Sequence, residues 1–186
     1  VSAPSLVRRL GDLDAQAYAA VARTPTSDAV DVALRKLSRA ANHSKISFTV
    51  AAVLACRPGA PRLAAATGVG AVAVASVTAN LLAKRLARRH RPARAEPGLF
   101  PRRYVVMPRS ASFPSGHTAS AVAFAVAVGK VVPAAAAPLG ALAAVVGYSR
   151  VHTGVHYPGD VAGGAVLGVG SAAVVLVAGR RIREGM

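Results

Sequence analysis

Long blocks without charge alternate along this chain with short, strongly polar stretches. Residues 63–82 carry no charged side chain. At about 1.5 Å of rise per residue, a helix of that length crosses the roughly 30 Å hydrocarbon core of a bilayer. Residues 134–148 and 161–178 follow the same pattern, as do 116–132 apart from Lys130 near their end, with breaks at Pro133 and at the polar stretch 149–160. A further apolar run over 46–56 is short, and it spans only if its helix begins near Ala40. In lipid each backbone amide has to be paired within its own segment, so these Val-rich runs are expected to be helices despite their strand propensity. Gly164 and Gly168 share one helix face and would let a neighbouring helix approach closely. Ahead of the apolar blocks, Val30, Ala33, Leu34 and Leu37 recur at helical spacing, with Ser27 or Asp28 placed to cap. The expected fold is therefore all-α: a transmembrane helical bundle of about five spans. Amphipathic interfacial helices over 1–42 precede a membrane domain over 43–179, and a basic tail follows over 180–186. Two spans separate the loop 84–115 from the connector 149–160, so both emerge on the same side of the membrane.

Composition sharpens this picture. The 186 residues are 53% hydrophobic and carry a formal charge of +16, from 23 Lys and Arg against 7 Asp and Glu. The basic residues cluster beside the apolar blocks, where anionic lipid head groups or a phosphorylated substrate account for them. No nucleic-acid partner is expected: Trp is absent, aromatic residues make up 4%, and no stacking platform or recognition motif is present. Cys56 is the sole cysteine, which excludes an internal disulfide and a cysteine-cluster metal site. The carboxylates are scattered, and His152 with His156 is too thin a set for zinc, so no metal or other cofactor is expected. No cleavable signal peptide is expected either, because "SLVRRLGDLD" interrupts the apolar core it would need.

Three polar clusters carry candidate chemistry. In "KRLARRHRP", Lys84 and Arg91 are spaced to share one face of a helix that continues past the membrane surface and is discouraged by Pro92. Such a run also serves as a plain lipid anchor. In "FPSGH", Ser115 is a natural N-cap and Gly116 leaves the backbone open to a ligand. His117 would stand in the first turn, where free N–H groups favour an anion. A simple cap is the alternative. In "SRVHTGVHYPGD", Arg150 can grip a phosphate with paired hydrogen bonds. Asp160, at the start of the last helix, can reach back and fix the tautomer of His156. A capping aspartate beside a surface histidine would read the same way.

Together the clusters resemble the type 2 phosphatidic acid phosphatase (PAP2) superfamily, which includes the vanadium haloperoxidases. Its signature is Lys, six residues, Arg-Pro; then Pro-Ser-Gly-His; then Ser-Arg, five residues, His, three residues, Asp. Here it falls on Lys84, Arg91 and Pro92, on Pro114 to His117, and on Ser149, Arg150, His156 and Asp160. "LSRAANHSKISF" is further similar to actinobacterial members, some of which carry a lipid kinase domain after this one; no such domain is expected here. The polar front departs from the family's six-span pattern. The resemblance implies metal-independent hydrolysis of a lipid phosphomonoester or pyrophosphate through a phosphohistidine. His156 would be the nucleophile, Asp160 its orienting partner and His117 the acid. Lys84, Arg91, Ser115, Gly116 and Arg150 would cradle the phosphoryl oxygens. The remaining polar residues of these loops, His90, Arg88 and His152 among them, are outside the signature.

Candidate substrates are polyprenyl pyrophosphates such as undecaprenyl pyrophosphate, polyprenyl-phosphoribose phosphate, phosphatidylglycerol phosphate and phosphatidate. The alternatives within reach of the same residues are vanadate-dependent halide oxidation and a non-catalytic lipid-phosphate-binding protein. The chain is expected in the plasma membrane. Loop charges alone would put the catalytic face in the cytoplasm. Substrate binding recruits several of those charges, and relatives with a C-terminal kinase need that end near ATP; the expected face is extracytoplasmic.

Overall fold

The computed structural model describes residues 6–83, 89–94, 100 and 102–185, and among them every regular element is helical. Helix α1 (Leu6–Arg23) and α2 (Asp28–Ala40) form the front. Ser27 caps α2 by accepting the N–H of Val30. After a 3-10 turn, Asn42–Ser44, come α3 (Lys45–Ala55) and α4 (Ala60–Val77), which runs on as a π-helical turn, Thr78–Ala83. The bundle closes with α5 (Gly116–Val131), α6 (Ala136–His152) and α7 (Pro158–Glu184). Ala60–Leu81, Pro133–His152 and Pro158–Ile182 are long and apolar enough to cross a membrane, and Gly116–Val131 is a shorter apolar helix. With α3 these make the five apolar helices expected of an integral membrane protein.

The core is a seam of small side chains. Ala71 and Ala75 of α4, Ala119, Ala123 and Ala127 of α5, and Ala172 of α7 are buried against one another. A second cluster joins Ala51 of α3 to Ala64, Ala65 and Val72 of α4 and to Phe124 and Val128 of α5. Between helices in lipid the attraction is van der Waals contact rather than expulsion of water, so small residues matter because they let backbones close up. Gly164 and Gly168 do this against α5: a Cβ on either would lie 2.5 Å from a carbonyl oxygen, of Ser115 and Ala119 respectively. The large side chains point outward instead, as at Val166 and Val174. The front helices lie on the end of this bundle, α2 against α6, and α1 against α6 and α7.

Three local expectations change. Helix α3 does not begin near Ala40. His43 (φ 55°) and Ser44 (φ 56°) are left-handed and turn the chain, leaving an 11-residue helix. At 1.5 Å per residue it is about half the length of the hydrocarbon core. Helix α6 runs further than the hydropathy suggests, through Ser149, Arg150 and His152, because each of these finds a buried partner; the connector shortens to 153–157. Arg91 does not ride on an extension of α4, since Arg89–Arg94 is non-helical. Lys84 and Arg88 lie outside the described residues.

The glycine seam yields a paired prediction. Gly168→Ala forces α7 away from α5 and is expected to destabilise the bundle by about 1–3 kcal/mol. Gly170→Ala, with nothing within 4 Å of the added carbon, is not. Thermal unfolding in detergent checks this, and equal melting temperatures would contradict the packing.

Candidate active site

Helix α7 opens with Pro158 at its first turn, where a missing N–H is harmless, and Asp160 in the same turn. The Asp160 side chain is fully buried, so its lone pairs have to be met by protein. Oδ2 accepts the N–H of Tyr157 at 2.9 Å and the hydroxyl of Ser112, and Oδ1 accepts from Arg89 Nη1 at 2.8 Å. The Asp160 carbonyl accepts the N–H of Ser115 at 2.9 Å, which ties the start of α7 to the start of α5.

His156 sits in the connector, its N–H donating to the Arg150 carbonyl at 3.2 Å. Its Nδ1 is 3.5 Å from Asp160 Oδ2, near but outside hydrogen-bond geometry, and the atom is buried with no hydrogen-bond partner among the described residues. Its Nε2 is 3.3 Å from Arg91 Nη1. A guanidinium only donates, so this network assigns Nε2 as the acceptor and places the proton on Nδ1, towards the carboxylate. Burial pushes the imidazole down to about 4. Asp160 pulls the other way, and the charges of Arg91 and Arg150 add to the depression. At neutral pH the ring is therefore uncharged, with a lone pair directed at Arg91.

The other expected residues are placed as follows. Arg91 is fixed by loop carbonyls, donating from Nε to Ser110 at 2.9 Å and from Nη1 to Val155 at 2.6 Å. Arg150, in the last turn of α6, donates from Nη1 to the carbonyl and hydroxyl of Ser38; its Nε is buried with no hydrogen-bond partner among the described residues. Ser115 is the N-cap of α5, its Oγ accepting from the N–H and hydroxyl of Thr118, and Gly116 is the first helical residue. His117 follows, with Nε2 2.8 Å from Asn42 Oδ1. The structure thus gathers Arg91, Arg150, His156, Asp160 and Ser115 by direct contacts, with Gly116 and His117 next to Ser115 in the chain and His117 bonded to Asn42; Lys84 falls outside the described residues.

Several groups that touch these residues occupy no signature position. Asp14 and Arg89 meet at 2.7 Å, Ser112 braces Asp160, Ser38 holds Arg150, and Asn42 meets His117. Asp31 of α2 is buried between Arg103 at 3.1 Å and His152 at 2.7 Å. Burial raises its carboxyl, but the bonds from Thr26 and His152 and the charge of Arg103 outweigh this and hold it below its usual range. Periodicity shows only that α2 has a polar and an apolar face, and Asp31 reads as solvated. Arg89 is hidden in a run of arginines.

The depressed His156 predicts a titration. Above pH 6.5 the ring is neutral in both folded and unfolded chains; between 6.5 and about 4 only the unfolded chain takes the proton, so this site's contribution to stability falls as pH drops through that window. Nitrogen NMR of labelled histidine in micelles should find a His156 midpoint well below 6.5. A midpoint at or above 6.5 would contradict the buried arrangement.

With this geometry in view, the family model of the PAP2 superfamily matches residues 64–184. Decaprenylphosphoryl-5-phosphoribose phosphatase from two strains of Mycobacterium tuberculosis is 39% identical over 107 residues, 57% of this chain and 56% of the relative. The chain thus matches little more than half the length of these curated relatives. Among solved structures, a transmembrane PAP2-type phosphatidylglycerolphosphate phosphatase from Bacillus subtilis superposes with a TM-score of 0.72 at 21% identity, covering 94% of this chain and 88% of that one. Aquifex aeolicus LpxE gives 0.69 at 23% identity, covering 88% and 94%.

Proposed function

The chain belongs to the PAP2 superfamily, and we propose that it is a membrane phosphatase that removes a phosphoryl group from a lipid by way of His156. The observation that carries this reading is the placement of the neutral His156 ring, with Asp160 on its Nδ1 side and Arg91 on its Nε2 side. When a phosphate enters, Arg91 Nη1 transfers its hydrogen bond from Nε2 to a phosphoryl oxygen, and the freed lone pair faces phosphorus. The orphaned Nε of Arg150 gains an acceptor in the same step. The first-turn N–H groups of α5, beginning at Gly116, and Lys84 supply further positive potential for the equatorial oxygens.

Nε2 then forms a bond to phosphorus as the bond to the leaving oxygen breaks. Asp160 stabilises the positive charge that develops on the ring, and His117 gives the leaving oxygen its proton. In the second half, His117 takes a proton from water, the water oxygen attacks phosphorus, and the N–P bond breaks to return neutral His156 and inorganic phosphate.

Ile46, Val50, Phe124, Leu139, Leu142 and Val146 line a recess of about 30 Å³ with His117 in its wall, room for about one water molecule and not for a lipid tail. A hydrocarbon chain on the leaving group is expected from the setting instead: His117 stands at the start of α5, among helices apolar enough to cross a bilayer. Given the named Mycobacterium relative, a phosphomonoester on a polyprenyl-phosphosugar is the first choice of substrate and a polyprenyl pyrophosphate the second. The proposed setting is the plasma membrane, with this face extracytoplasmic.

Phosphate release should be measured across phosphatidate, polyprenyl pyrophosphate and polyprenyl-phosphoribose phosphate in detergent. At least one is expected to turn over, unaffected by a chelator. His156→Ala should lose more than about 10³-fold in kcat, and Arg91→Lys about 10²–10³-fold. Equal release by His156→Ala would refute the nucleophile, and loss of activity to the chelator would refute the metal-independent route.

A further inference from the structure

Asp160 takes one of its hydrogen bonds from a residue outside the signature, and that residue is held by the front of the chain. Arg89 donates from Nη1 to Asp160 Oδ1 at 2.8 Å and from Nη2 to Asp14 Oδ2, on α1, at 2.7 Å. The other oxygen of Asp14 accepts the N–H of Gly159 at 2.7 Å. Asp14 thereby grips both the backbone just before Asp160 and the side chain that bonds it. Tyr18, one helical turn beyond Asp14, stands edge-on to Tyr157 at 5.6 Å, and the Arg89 guanidinium lies 4.2 Å over the Tyr157 ring. A cation on an aromatic face with a fork of donors between two carboxylates is a fixed geometry that lysine cannot copy.

The arrangement bears on the nucleophile. Tyr157 and Ser112 hold Oδ2, the oxygen nearest His156, while Oδ1 depends on Arg89. Without Arg89 a solvent-free carboxylate loses its charged partner on Oδ1 and is held through Oδ2 alone, so the approach of Oδ2 to Nδ1 is less tightly fixed while the negative charge stays beside the ring. The guanidinium also balances the charge of Asp160, and it is that charge that favours a proton on the imidazole.

We propose that Arg89 is a positioning residue for the His156–Asp160 pair and that Asp14 is the anchor of Arg89, so that the amphipathic helix α1 completes the active site. This rests on the reading in which Asp160 orients His156 as the nucleophile. Helix α1 is then not a passive membrane-surface segment. Its polar face is part of the scaffold that aims the ring.

The test uses the full chain in micelles, with phosphate release from polyprenyl-phosphoribose phosphate, polyprenyl pyrophosphate and dioleoyl phosphatidate and nitrogen NMR of His156, and with His156→Ala alongside. Arg89→Met is expected to lower kcat about 10²-fold and Asp14→Asn about tenfold, with KM within about threefold and Arg89→Lys between the two. In folded Arg89→Met the His156 midpoint should rise from about 4 towards 6.5, because the uncompensated carboxylate favours the imidazolium. A purely structural role would lower the melting temperature and leave that midpoint where it is. In Asp14→Asn, hydrogen exchange at Gly159 should speed up while the rest of α7 stays protected. If His156→Ala is inactive and Arg89→Met keeps wild-type kcat and midpoint, the proposal is overturned and the phosphatase reading stands. If His156→Ala is as active as wild type, that reading falls, and an unmoved midpoint in Arg89→Met would overturn the positioning role on its own.

Discussion

A carboxylate with no solvent contact has to be satisfied by the protein around it, and the Asp160 side chain is fully buried. Its partners come from distant parts of the chain: Arg89 after α4, Ser112 before α5, Tyr157 in the last connector, and through Arg89 also Asp14 of α1. Leaving such a charge unpaired costs several kcal/mol, so the segments that meet it are held in one arrangement. The backbone bond from Ser115 to the Asp160 carbonyl adds the start of α5 to the same knot. The alanine and glycine seam makes this possible by bringing α4, α5 and α7 close enough for their polar ends to meet.

The front helices obey the same rule. Asp31 and Arg103 are both buried, and Arg103 spends its remaining donors on the Ala22 and Thr24 carbonyls and the Thr26 hydroxyl, which clamps the α1–α2 corner onto the loop before α5. Ser38 closes on Arg150, and Asn42 on His117. The left-handed pair His43 and Ser44 follows directly and turns the chain into α3. What hydropathy shows as an amphipathic preface is, in the fold, a polar lid of side chains over the ends of α5, α6 and α7.

Periodicity and length were enough for the helical membrane bundle, since a lipid environment leaves few other ways to pair backbone groups. The close approach at Gly164 and Gly168 was legible for the same reason: a missing side chain on one face has a direct steric meaning. The candidate residues could be named because His156 and Asp160 lie in one short connector, and Ser115 caps the helix it precedes. Arg89 could not be singled out among Arg85, Arg88, Arg89 and Arg91, whose identical side chains carry no information about direction. Asp14 is 145 residues from Gly159, and nothing local marks it as a partner. The length of α6 was underestimated because Arg150 and His152 look like loop residues until Ser38 and Asp31 are in place to receive them. Arg91, whose spacing from Lys84 suits a shared helix face, lies in non-helical chain and is fixed by carbonyls instead.

The account centres on one imidazole, kept neutral by burial and aimed by a carboxylate, accepting a phosphoryl group. Rapid mixing with substrate labelled on the transferred phosphate, an alkaline quench that preserves N–P bonds, and peptide mapping would test this most directly. The label should appear transiently on the peptide that contains His156 and decay as inorganic phosphate forms. A label on another residue, or steady phosphate release with no labelled protein at any time, would contradict it.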